Sequence, residues 1–131
     1  MRRGAPAAVA ESVVADLTSR GYLDDAAFAR RWVETRARRG YGVGRLRAEL
    51  RARGVAPPLI EAALGTLEPG ADRERARALA RRRLPALRRA HPGRAARRLS
   101  DYLLRRGYPA RMVAGVVREV FGDALDVAAE E

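Results

Sequence analysis

Asp24 and Asp25 are adjacent carboxylates, the residue type that general acid–base and metal chemistry uses. No second acid or histidine is spaced to complete a metal site with them. At the head of a helix beginning near Ala26, either aspartate serves as a cap that the helix dipole favours. Gly40, Gly42 and Gly44 form a GxGxG string, a pattern that can cradle phosphate. It follows a helical stretch rather than a strand, and no lysine–serine pair comes after it, so it reads as a turn. His91 is the only histidine; it precedes Pro92 in a turn, with no partner that would make it a base. Cysteine is absent, which removes thiolate chemistry and a disulfide framework. The residues therefore predict no catalytic centre, no cofactor and no metal.

Charge is the stronger chemical signal. The chain of 131 residues carries 27 basic and 16 acidic side chains, a net charge of +11, and every basic residue is arginine. A GC-rich coding sequence explains arginine in place of lysine but not the excess of positive charge. That excess predicts an anionic partner, nucleic acid before others. Asparagine and glutamine are absent, so base-specific reading is weakly supported. Asp123, Asp126, Glu130 and Glu131 make an acidic end, with no basic residue after Arg118. Disorder is expected there, and the tail could compete with nucleic acid for the basic face.

The elements that must position these arginines come from a repeat. Arg2-Arg3-Gly4, Arg51-Ala52-Arg53-Gly54 and Arg105-Arg106-Gly107 are three copies of one phrase. Counted from each glycine, apolar residues follow at plus five, nine, ten and thirteen: Val9, Val13, Val14, Leu17; Leu59, Ala63, Leu64, Leu67; Met112, Val116, Val117, Val120. The glycines are 50 and 53 residues apart, a period that signals a tandem array. Leu46 and Leu50, and again Leu99 and Leu103, share one helix face. Gly54 and Gly107 suit the left-handed position that ends such a helix, and Pro57, Pro58 and Pro109 suit the start of the next. A third helix precedes each pair. One runs from near Ala26 with Phe28 and Trp32 on its buried face and Thr35 beside them. The other has Asp72 as its cap, and Pro85 bends or ends it. The turn His91-Pro92-Gly93 follows. No run of β-branched alternation competes, so the fold class expected is all-α, with tandem three-helix repeats. Of the first copy only the last helix, about Ala7 to Ser19, is represented. The expected organisation is 1–20 as that helix, 21–68 and 69–121 as the second and third repeats, and 122–131 as an acidic tail.

With Phe28 and Trp32 inward, Arg30 and Arg38 face outward. Arg45, Arg47 and Arg51 flank the Leu46–Leu50 stripe. Arg94, Arg97, Arg98 and Arg105 lie outside Leu99 and Leu103, and Arg81, Arg82, Arg88 and Arg89 add charge around Pro85. Each alone reads as a solvated helix residue. As a set they can neutralise several phosphates, with binding that weakens steeply in salt. Trp32 belongs to the core by its spacing from Phe28. Tyr22, Tyr41 and Tyr108 lie near turns, where they either stack on a partner or plug helix junctions.

The segment Gly21-Tyr22-Leu23-Asp24-Asp25-Ala26-Ala27-Phe28-Ala29, continuing through Trp32-Val33, Arg36 and Gly40-Tyr41-Gly42 to Arg45-Leu46-Arg47-Ala48-Glu49-Leu50-Arg51-Ala52-Arg53-Gly54-Val55, closely resembles the signature of the RecX family of regulatory proteins. The stretch from Arg97 to Val120 resembles that family's more degenerate last repeat, and the likeness covers about Gly4 to Phe121. The resemblance implies tandem three-helix repeats in a curved, elongated molecule. It implies binding in the groove of the RecA filament on DNA, with reduced filament extension, ATPase, strand exchange and coprotease activity, and contact with single- or double-stranded DNA. The alternative left open by the residues is a non-specific nucleic-acid-binding helical protein acting directly on DNA or RNA. No apolar run is long enough to cross a membrane and no signal-peptide pattern is present, so a cytoplasmic, monomeric protein without a membrane partner is expected.

Overall fold

The structure is a computed structural model that describes residues 4–130, with side chains described for 20–124. Six helices follow one another: α1 (Gly4–Arg38), α2 (Val43–Ala52), α3 (Pro57–Leu64), α4 (Ala71–Ala90), α5 (Ala95–Arg105) and α6 (Ala110–Glu130). No strand occurs among the described residues. They divide into two sets of three, each around its own core. Ala29, Val33, Leu46, Leu50, Ile60 and Ala63 centre the first, and Ala76, Ala80, Leu99, Leu103, Val113 and Val116 the second. The array is therefore all-α and tandem, as expected.

The second helix of each set ends in the same way. Gly54 and Gly107 take φ of +83° and +98°, a region that a side chain disfavours. The residue after each glycine then donates its N–H to a carbonyl five positions back: Val55 to Leu50 at 3.1 Å and Tyr108 to Leu103 at 3.3 Å. Gly40 repeats the motif at the end of α1, with φ of +91° and Tyr41 N–H on the Arg36 carbonyl at 3.3 Å. This six-to-one bond satisfies a carbonyl that the helix end leaves open. Pro57 then opens α3, where its missing N–H costs nothing. The apolar pattern read from the glycines holds: Leu59, Ala63, Leu64, Val116, Val117 and Val120 are buried, while Leu67 and Met112 are partly so. Val9, Val13, Val14 and Leu17 lie outside the described side chains.

Two expectations are corrected. Asp24 and Asp25 cap nothing, because α1 runs unbroken from Gly4 to Arg38 and both are exposed on it. Its buried face is the small-residue stripe Ala29-Val33-Ala37, all 2% exposed or less; Phe28 and Trp32 flank it half-buried and Thr35 is exposed. Small side chains at four-residue spacing let α1 lie close against α3, and the rings close the edge. Of the two outcomes expected at Pro85, an end to the helix does not occur, since α4 continues to Ala90. α6 carries on through the acidic end as far as Glu130. Asp123 pairs there with Arg81 at 2.9 Å.

Candidate functional site

The two helix sets meet through their turns, and the meeting point is built from glycine. The Gly42 N–H donates to the Arg106 carbonyl at 2.7 Å and the Gly44 N–H to the Gly107 carbonyl at 2.9 Å. A Cβ on Gly42 would lie 2.7 Å from the Gly107 carbonyl carbon and from the Tyr108 nitrogen. A Cβ on Gly107 would run into the Cβ and backbone nitrogen of Arg45. The GxGxG string is thus a turn at Gly40 and Gly42 that passes into α2 at Gly44, and its glycines let one backbone rest on another.

Side chains complete this clasp. The Tyr108 hydroxyl donates to the Gly40 carbonyl at 2.8 Å, and Arg106 donates to the Arg39 carbonyl at 3.1 Å. Burial, with the nearby Asp72 charge, pushes the Tyr108 phenol up to about 12. Asp72 was expected to cap its own helix. Instead α4 starts behind Gly70 with no side-chain cap, and Asp72 reaches across to accept the Val43 N–H at 3.3 Å. It caps α2, in the other helix set, and Arg75 steadies its second oxygen at 2.9 Å.

Arginines and aromatic rings alternate across this junction. The Arg53 guanidinium lies 4.1 Å from the Trp32 ring centre, and Arg36 lies 5.4 Å from it. Arg36 also covers Tyr41 at 4.2 Å, as do Arg106 at 4.5 Å and Arg45 at 4.7 Å. Arg106 continues to Tyr102 at 5.5 Å, and Arg83 covers Tyr102 at 4.4 Å. The result is an unbroken ladder from Arg53 in the first set to Arg83 in the second. Guanidinium stacks on an aromatic face through the ring quadrupole while its N–H edges stay free to donate.

Glu49 is the ladder's acid. It accepts from Trp32 Nε1 at 3.0 Å, from Arg36 Nε at 3.1 Å and from Arg45 Nε at 3.2 Å. Partial burial alone would push its carboxyl up, but the bonds from Arg36, Trp32 and Arg45 outweigh that and hold it below the usual carboxylate range. Arg53 and Arg83, at the two ends, are exposed and pair with no acid among the described residues.

The arginines named from sequence do not form one patch. Arg45, Arg47 and Arg105 rim a cleft of about 750 Å³ floored by Ala48, Ala52 and Leu104 between the two sets. Arg30 and Arg38 line a second cleft of about 700 Å³ between α1 and the start of α4. Several are already engaged: Arg38 with Glu34, Arg45 with Glu49, Arg47 with Glu61 and Arg81 with Asp123, while Arg88 lies over Phe121. Arg51 is exposed near Glu61. Arg82, Arg89, Arg94, Arg97, Arg98 and Arg105 are exposed. On α4, Arg82 and Arg89 point away from the core, because they sit about half a turn from Ala80 and Leu84 at 100° per residue.

Sequence reasoning missed Arg36, Arg53, Arg83, Arg106 and Tyr102. A signal existed for two: Trp32–Arg36 and Tyr102–Arg106 are aromatic–arginine pairs at four-residue helical spacing. Of the three tyrosines singled out, Tyr108 is 2% exposed and plugs the junction, Tyr41 holds arginines, and Tyr22 is 53% exposed. His91 follows α4 in the expected turn. No group of acids and histidines among the described residues could hold a metal. No helix among them is long and apolar enough to cross a membrane.

Two interlocked three-helix repeats, bearing a basic stripe and no metal cluster among the described residues, define a helical-repeat protein built for contact. The family models for the second and third three-helix domains of RecX match residues 24–64 and 71–117. The chain belongs to the RecX family. It is 43% identical over 119 residues to the "Regulatory protein RecX" of Thermobifida fusca, covering 90% of this chain and 64% of that one. It is 38% identical over 120 residues to the protein of that name in Streptomyces coelicolor, covering 90% and 63%. With that of Mycobacterium ulcerans it shares 41% over 118 residues, covering 88% and 68%. The chain thus spans less than two thirds of the length of the first two. No solved structure matches it.

Proposed function

We propose that this protein binds the RecA–DNA filament and restrains it, limiting filament extension, ATPase and recombinase activity, and so modulates DNA repair and the SOS response. Membership of a family whose relatives carry the name of a regulatory protein supports this. The observation that carries it furthest is the interlocked junction. Two repeats joined by backbone contact and an inter-repeat cap make a stiff ruler, suited to a partner that repeats along an axis. Restraint needs no chemical step. A ligand bridging protomers favours the filament geometry it fits, by its difference in affinity between geometries. Residues 1–20 would supply the last helix of a first repeat, continuous with the opening helix of the second, with 21–68 and 69–121 the second and third repeats and 122–131 an acidic tail. The protein would act in the cytoplasm as a monomer.

The test is RecA ATPase on single-stranded DNA at near-physiological salt, with this protein titrated in and a DNA-only binding titration beside it. Inhibition is expected well below the RecA concentration, at protein levels too low to coat the DNA. No inhibition despite tight, salt-sensitive DNA binding would overturn the reading in favour of a general nucleic-acid-binding protein.

A further inference from the structure

We propose that the arginine–aromatic ladder is the surface on which this protein holds a nucleic-acid phosphate backbone, without reading the bases. The inference rests on the filament reading only for its setting, since DNA lies inside such a filament; the contact itself is argued from the ladder.

Five arginines share the ladder with one carboxylate, Glu49. Glu49 engages only Arg36 and Arg45, so the ends and the crossing point keep their charge. The stripe is continuous across the repeat junction, which suits a polyanion with a charge at every unit. An acidic peptide would have to place consecutive carboxylates along the whole run.

The rings act indirectly. Trp32, Tyr41 and Tyr102 are half-buried, and their accessible faces are occupied by guanidiniums. They offer little to a base, but they hold Arg53, Arg106 and Arg83 in place. An arginine already fixed on a ring loses less rotamer freedom when it binds, and its fork still makes two parallel bonds to a phosphate. The absence of asparagine and glutamine fits contact that ignores sequence.

The test is binding of a fluorescein-labelled oligothymidylate to the full chain over a salt series, without RecA. Quenching of Trp32, the only tryptophan, gives a second readout at one end of the ladder. Arg53→Ala with Arg83→Ala removes two contacts and should reduce the magnitude of the slope of log K against log salt by about 1.4. Arg111→Ala with Arg118→Ala removes equal charge from the exposed face of α6, about half a turn from Val113 and Val116, and should leave the slope nearly unchanged. Arg53→Lys with Arg83→Lys keeps the charge and should keep the slope, but lower affinity several-fold because lysine stacks less well.

Equal loss from both alanine pairs would overturn the proposal, as would lysine binding as tightly as arginine. Undiminished oligothymidylate binding by the Arg53/Arg83 alanine variant, with weakened RecA inhibition, would also overturn it: the stripe would then face acidic protein, and the filament reading would stand. The expected slopes in a protein that fails to inhibit RecA would sink the filament reading and leave the stripe in place.

Discussion

Three side chains converge on Glu49 with four hydrogen bonds, one from the indole of Trp32, two from Arg36 and one from Arg45, and its side chain is only 19% exposed. Glu49→Ala leaves the indole N–H and the Arg36 charge short of an acceptor in a half-buried place. The expected cost is about 1–3 kcal/mol, read as a fall in the urea midpoint. The carboxyl is held below its usual range when folded, so its charge stabilises the protein above the unfolded value of about 4.3. That contribution is lost as pH falls through the lower folded value. The stability gap between the wild type and Glu49→Gln should therefore shrink on acidification, in unfolding curves taken at pH 7 and pH 3. Composition gave no sign of this role. Glu49 reads as one exposed acid among arginines, and only the fold shows that three of its neighbours come from a different helix or a turn earlier.

At the scale of elements, the left-handed glycines separate two kinds of constraint. Gly54 has open space around it, so its substitution is penalised by φ of +83° alone. Gly42 has no positive φ, yet a Cβ there would meet the backbone of the other repeat at 2.7 Å. Gly54→Ala is expected to cost about 1–2 kcal/mol by straining one helix end. Gly42→Ala is expected to leave both cores intact and push the repeats apart, a difference visible in amide protection around Gly107. Gly54, Pro57 and the leucine pairs were legible because their reasons are local: a turn, a first helical position, a shared face. Gly42 and Asp72 were not, because their partners lie 64 and 29 residues away in the chain. The aspartate pair misled for the same reason in reverse. Asp24 and Asp25 form a plausible cap, yet α1 runs straight through them, even though Thr18, Ser19 and Gly21 just before are poor helix formers.

For the molecule as a whole, each repeat has its own core, and the turn contacts together with the arginine–aromatic ladder join them. The wild type should unfold in one transition, with Trp32 fluorescence (first core) and far-ultraviolet circular dichroism (both cores) coinciding. Gly42→Ala should split them into two. Coincident curves in that variant would mean that the cores are coupled by something other than the turns. The all-α tandem architecture was readable from the spacing of glycines and apolar residues. The axis of charge was not, since it depends on which arginines the turns bring onto one side.

The unbroken α1 has a consequence for changes in chain length. A helix of 35 residues fixes direction as well as distance. Inserting one residue before Asp24 would swing whatever joins its N-terminal end by about 100° around the axis and lift it about 1.5 Å. Inserting seven would return it to within about 20° of its starting bearing, roughly 10 Å farther out. Insertions and deletions in this stretch are therefore tolerable in phase and disruptive out of phase, as with the teeth of a gear.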